Sequence, residues 1–147
     1  MRSTNYSIDN LKQKRIAVIG GGTSAERDIS LQSSSHVYNA LIALGLNTIH
    51  LDPSDPTFFT EPFDIAFNCL HGTWGEDGGF QEYCESKNIP YTGSGVLAAS
   101  VGFNKPLFKL ISKDLGDPVP NIIKNKHNVT FPFIVKPIAE GSSIGIS

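Results

Sequence analysis

The sequence predicts an α/β protein, a parallel sheet covered by helices, followed by the opening of a second, mixed α+β unit. Three observations predict it. Short, nearly continuous apolar runs alternate with helical stretches through residues 15–95, the pattern of strands buried on both faces. These runs end in glycine and polar residues, where open parallel sheets carry their sites. After residue 95 the alternation gives way to two adjoining helices and two strand-like runs.

The elements follow in order. Met1–Lys14 is polar, without an apolar centre, and reads as a tail rather than a secretory signal. Arg15–Gly20 (RIAVIG) reads as the first strand and Gly21–Ser24 as a tight loop. From Ala25 to about Leu44, the residues Ile29, Tyr38, Leu41, Ile42 and Leu44 predict a helix with an apolar face, stopped at Gly45. Thr48–Leu51 reads as a second strand, ended by Asp52-Pro53, and Asp64–Leu70 as a third. Gly79–Ser86 is a short helix and Ile89–Thr92 a fourth short strand. Val96–Phe103 and Lys105–Leu115 read as helices. Val119–Lys124 and Phe131–Pro137 read as an antiparallel pair joined by polar Asn125–Thr130, and Glu140–Ser147 as a glycine-serine loop. The expected domains are a tail (1–14), an α/β substrate-binding domain (15–95) and the start of a second domain (96–147).

Composition excludes several classes. Of 147 residues, 39% are apolar and 18% charged, too apolar for a disordered chain. With 12 basic and 14 acidic residues the net charge is −2, so no basic excess points to nucleic acid or an anionic membrane. No apolar run is long enough to span a bilayer. Cys69 and Cys84 lack metal-site spacing and read as two buried free thiols, which fits a cytoplasmic setting.

Three clusters carry chemistry. Gly20, Gly22 and Ala25 fit G-x-G-x-x-A between a strand and a helix, with Asp52 where a ribose-binding acid would sit, so a Rossmann-like dinucleotide site is one reading. Glu26 and Asp28 argue the other way. They stand at the positive pole of the helix, where they would repel a pyrophosphate and attract a substrate ammonium, or simply complement the dipole. The second cluster is Leu70–Gly79 (LHGTWGEDGG). Its glycines allow close approach of a ligand, and Glu76 is near enough in sequence to hold His71 in one tautomer. Asp77 reads as a helix cap and Trp74 as a packing or lid residue. The third is basic. Lys105 opens a helix and Lys136 ends an apolar strand beside the loop Glu140–Ser143, a setting that suits phosphates; Lys136 is expected to be partly buried. Lys109, Lys113, Lys124 and Lys126 read as solvated surface.

Five segments together, GGTSAERDIS (21–30), LHGTWGEDGGFQ (70–81), IPYTGSGVLAAS (89–100), NK (104–105) and IVKPIAEGSSIGIS (134–147), resemble the D-alanine–D-alanine ligases of the ATP-grasp superfamily, in that family's order. The resemblance implies a Rossmann-like amino-terminal domain followed by the start of an ATP-grasp domain. It implies ATP-dependent joining of two D-alanines through an acylphosphate, for peptidoglycan synthesis in a bacterial cytoplasm. By it, Glu26 binds the ammonium of the first D-alanine and heads a Glu–Ser–Tyr hydrogen-bonded set whose serine is Ser142. His71 and Glu76 line the same subsite, Lys105 and Lys136 contact ATP, and Ser143 lies in the loop over the phosphates. It also implies a parent about twice this length and able to form a homodimer, with the Mg²⁺ ligands, the tyrosine, an oxyanion arginine and the second D-alanine subsite beyond Ser147. The 147 residues alone are therefore expected to be inactive. Asn104, where the family has Asp, with Pro106 and Thr73-Trp74, departs from the family pattern. The rival readings are a nucleotide-binding oxidoreductase domain and a non-catalytic amino-acid-binding module.

Overall fold

The computed structural model describes residues 7–123, 129 and 131–147. The first six residues of the expected tail, Lys124, Lys126 and most of the expected 125–130 connection lie outside the described residues. The described elements are α1 (Ile8–Lys12), β1 (Ile16–Ile19), α2 (Arg27–Ala43), β2 (Thr48–Leu51), a 3-10 turn (Pro56–Phe59), β3 (Ile65–Asn68), α3 (Gly79–Ser86), α4 (Val96–Phe103) and α5 (Lys105–Asp114). The tail thus holds a short helix, α1, started by Ser7, whose hydroxyl accepts the Asn10 N–H at 3.2 Å.

The sheet is parallel, in the order β2-β1-β3, with Ile19 opposite both Leu51 and Asn68. All four residues of β1 are buried, as a central parallel strand requires. The expected fourth strand is reduced to one parallel bridge, Ala66 to Tyr91. Pro90 has no N–H to give to a longer ladder, but its carbonyl accepts from Ala66 at 2.9 Å. Below the sheet, Phe58, Leu70, Phe80 and Cys84 form a core with Ala17, Ile19 and Ala66. Trp74 packs edge-on against Phe58 and Phe80, with ring centroids 5.9 and 5.4 Å away, so it is a packing residue.

Helix α2 departs from the expected apolar face. Ile29, Ile42 and Leu44 are exposed, Tyr38 and Leu41 half-buried, and the buried residues are Ser30 and Ser34. The reason is close approach: a Cβ on Gly20 would lie 2.1 Å from Ser34 Oγ, so only small side chains fit between helix and strand. Their hydroxyls are satisfied. Ser30 Oγ donates to the Cys69 carbonyl at 2.7 Å and accepts the Gly21 N–H at 2.9 Å, while Ser34 Oγ donates to the Leu31 carbonyl at 3.0 Å. Gly45 ends the helix at φ +71°, as expected.

Among the described residues the expected antiparallel pair does not form: neither 119–123 nor 131–137 is a strand. Val135 instead exchanges hydrogen bonds with Ser147, at 2.8 and 3.2 Å. Ile122, Phe131, Ile134 and Val135 remain exposed, without an apolar layer to hold a two-stranded ribbon. For the same reason Lys136 is exposed rather than partly buried.

Candidate functional site

The site forms at the carboxyl ends of β1 and β3. The turn after β1 leads into α2 with Glu26 as its last non-helical residue, and the loop after β3 carries His71 and Glu76. Glu26 is 1% exposed, an acid that must be compensated where it stands. Its partners come from the far end of the chain. The Gly141 N–H donates to Oε1 at 3.0 Å, and the Ser142 hydroxyl donates to Oε2. A carboxylate has about four lone-pair sites, so these two bonds leave acceptor capacity for a ligand. Ser142 and Ser143 both have positive φ, +45° and +62°, a backbone seldom adopted by non-glycine residues and concentrated at functional sites.

Ligand atoms of Glu26, His71 and Glu76 all lie within 4.8 Å of one another. The structure therefore brings together four of the predicted residues, Glu26, His71, Glu76 and Ser142. The expected Glu76–His71 hydrogen bond is not what holds them: Glu76 Oε2 takes the Gly72 N–H at 2.7 Å, and the His71 ring lies 3.4 Å from Ser33 Oγ. The loop is clamped elsewhere as well. Gly75 O accepts from Asn68 Nδ2 at 3.0 Å and Gln81 Nε2 at 2.9 Å, and Asp77 takes the Trp74 and Gly79 N–H groups at 3.0 Å, the capping role expected of it.

Lys105 opens α5 behind Asn104, which caps the helix by accepting the Leu107 N–H at 3.1 Å. The Lys105 ammonium donates to the Glu140 carbonyl, tying α5 to the Gly141–Ser143 loop. A cleft of about 660 Å³ runs past His71, Glu76, Gly93, Lys105, Glu140 and Gly141, so acids and a lysine face one space. Glu26, Lys136, Ser142 and Ser143 are not among its lining residues.

The glycine loop does not offer a pyrophosphate site, because the protein uses its amides. Gly21 N–H goes to Ser30 Oγ, and Gly22 N–H to Asp52 Oδ1 at 2.9 Å. Asp52 is not free for a ribose either: its Oδ2 pairs with Arg27 Nη2 at 2.6 Å. Partial burial raises the Asp52 pKa, but the Arg27 guanidinium and the N–H groups of Gly22 and Ser54 outweigh it and hold the carboxyl well below the usual range. Sequence reasoning missed this pairing, and the adjacent acid-base residues of SAERD were its available signal. Nor does the Glu26–His71–Glu76 cluster fit Mg²⁺, which takes a near-octahedral oxygen shell. The set includes an imidazole, and three of its carboxylate oxygens are already engaged. An organic ammonium, held by hydrogen bonds and charge, suits it better. Cys69 and Cys84 are free and buried, and burial pushes their thiols up to about 11 and about 12. They are not activated nucleophiles.

A family model described as "D-ala D-ala ligase N-terminus" matches residues 47–94. The chain is 42% identical over 144 residues to the D-alanine–D-alanine ligase of Neisseria meningitidis, covering 90% of this chain and 47% of that protein. The crystal structure of the Bacillus anthracis D-alanine–D-alanine ligase superposes with a TM-score of 0.75 at 29% identity, covering 90% of this chain and 48% of that one. For the ATP complex of that enzyme the values are 0.72, 28%, 86% and 48%. The chain spans about half the length of the curated relatives it matches. By sequence and by fold, the chain is similar to the amino-terminal part of D-alanine–D-alanine ligases.

Proposed function

We propose that the protein carrying this chain joins two D-alanine molecules, using ATP, and that these residues hold the first D-alanine and one side of the nucleotide. The observation that carries the reading is the buried Glu26 carboxylate, held by Gly141 and Ser142 and grouped with His71 and Glu76. ATP supplies the phosphoryl group that makes the substrate carboxylate a competent acyl donor.

The chain's own residues supply charge control. Glu26 accepts the ammonium of the first D-alanine, and His71 and Glu76 close that subsite. With its ammonium held there, the substrate's carboxylate is free to meet the nucleotide. Lys105, Lys136 and Ser143 face the phosphates; two lysines offset the repulsion between a carboxylate and a triphosphate. The carboxylate attacks the γ-phosphorus and ADP leaves. The amine of a second D-alanine then attacks the acylphosphate carbon, losing a proton as phosphate departs. The Glu26–His71–Glu76 cluster suits the ammonium rather than Mg²⁺. Residues 15–95 act as the substrate-binding domain and 96–147 as the opening of the nucleotide-binding domain. A bacterial cytoplasm is the setting; no described helix is long and apolar enough to cross a membrane.

The test is an assay of the native gene product carrying these residues, with D-alanine and MgATP. Formation of D-alanyl-D-alanine with one phosphate released per dipeptide is expected. ATP hydrolysis indifferent to D-alanine, or no turnover at all, would contradict the reading.

A further inference from the structure

The Arg27–Asp52 pair does more than block a ribose. Asp52 follows β2, and the pairing of Ile19 with Leu51 sets it beside the glycine loop. Its Oδ1 accepts the Gly22 N–H at 2.9 Å, and its Oδ2 meets Arg27 Nη2 at 2.6 Å. Arg27 Nη1 returns to the Gly22 carbonyl at 2.6 Å. Both polar backbone atoms of Gly22 are thus held by one ion pair. Ser54 completes the ring: its hydroxyl donates to Asp52 Oδ1 at 2.8 Å and accepts from Arg27 Nη1 at 3.0 Å. Gly21 allows this closure, because at its φ of +89° a Cβ would sit 2.4 Å from Asp52 Oδ2.

Glu26 lies inside the closed turn, between Gly22 and Arg27. The Arg27 N–H donates to the Ser24 carbonyl at 3.2 Å, and Ser24 Oγ accepts from the Glu26 N–H at 3.2 Å while donating to the His71 carbonyl at 2.7 Å. The charge attraction of an ion pair this open to solvent, with side chains 41% and 19% exposed, contributes little to global stability; what Asp52 adds to stability comes mainly from the Gly22 and Ser54 N–H groups it accepts. What a planar guanidinium fork contributes at such a place is direction.

We propose that Arg27 and Asp52 are positioning residues for Glu26, closing the turn so that its carboxylate stays on Gly141 and Ser142 with its remaining lone pairs directed for the substrate ammonium. The proposal deepens the function above and rests on it for kinetics, while its first readout needs no activity.

That readout is amide hydrogen exchange, followed by NMR on the full 147-residue chain as wild type, Asp52→Asn, Arg27→Lys and, as a control, Asp55→Asn. The Gly22 and Gly141 amides should exchange about tenfold faster in Asp52→Asn, less so in Arg27→Lys, and unchanged in Asp55→Asn, with β1 amides still protected. Wild-type exchange at Gly141 in Asp52→Asn, or equal acceleration across β1, would overturn the proposal. In the native gene product, Asp52→Asn should raise KM for the first D-alanine about tenfold beside Glu26 but less than about twofold in a Glu26→Gln background. Additive effects in the two backgrounds would overturn it as well. A wild type without turnover would sink the proposed function and leave the exchange result standing.

Discussion

Ser142 donates its hydroxyl to the buried carboxylate of Glu26 across 116 positions of sequence. That bond, with the Gly141 N–H on the other oxygen, joins the turn after the central strand to the glycine-serine loop near the end of the chain. It gives the acid a defined direction and makes the site a property of two distant segments.

Gly20→Ala should destabilise the fold. Its new Cβ would meet Ser34 Oγ and Cβ at 2.1 and 2.3 Å, at a helix–strand contact that cannot open locally. Overpacking of this kind costs about 1–3 kcal/mol. Urea midpoints of wild type, Gly20→Ala and Gly20→Ala with Ser34→Gly should show a loss and then a partial recovery. An unchanged midpoint in the single variant would refute the close packing.

Asp52 should stabilise the fold in a pH-dependent way with a definite sign. Its folded pKa lies below the ordinary value, so its stabilisation is fully present above the unfolded pKa of about 3.9 and is lost as pH falls from there toward the folded pKa. The stability gap between wild type and Asp52→Asn should therefore be constant from neutral pH to about 5 and shrink below about 4. Denaturant midpoints at pH 7, 4 and 3 measure it. A gap that grows on acidification would have the wrong sign.

Lys136→Ala should leave stability nearly unchanged, because the side chain is exposed, and surface changes usually stay within about 0.5 kcal/mol. In the native gene product it should raise KM for ATP about tenfold, the loss of one charge-assisted contact, and leave the D-alanine constant alone. Thermal melts and steady-state kinetics separate the two effects. A lower melting temperature with normal ATP kinetics would assign Lys136 to the fold.

Parts of the fold were legible because local pattern and burial agree. Thr48–Leu51, Gly79–Ser86 and Val96–Phe103 form as the sequence predicts, and Ile16–Ile19 falls inside its predicted run. The buried face of α2 was not legible, since its contact with Gly20 selects small serines that resemble a polar surface. The 3-10 turn at Pro56–Phe59, started by Asp55 accepting the Thr57 N–H, was missed although it supplies Phe58 to the core. The run 131–137 is apolar enough for a strand but lacks a facing layer among the described residues. Within the site, the character of Glu26 followed from charge at a helix start. Its bond to Ser142 lay beyond any local pattern and came only through the resemblance. Asp52 misled because an acid after the second strand fits a ribose partner equally well until Arg27 is seen to hold it.

The central claim is that Glu26 receives a substrate ammonium. The most direct measurement is steady-state kinetics of the native gene product and Glu26→Gln, varying D-alanine and ATP separately. The substitution keeps size and removes one charge, worth about 1.5–3 kcal/mol in a charge-assisted hydrogen bond. KM for the first D-alanine should rise about tenfold or more, with KM for ATP unchanged and kcat little altered if the contact is made equally in the ground and transition states. A change confined to the ATP constant would contradict the account and return the glycine loop to a phosphate role.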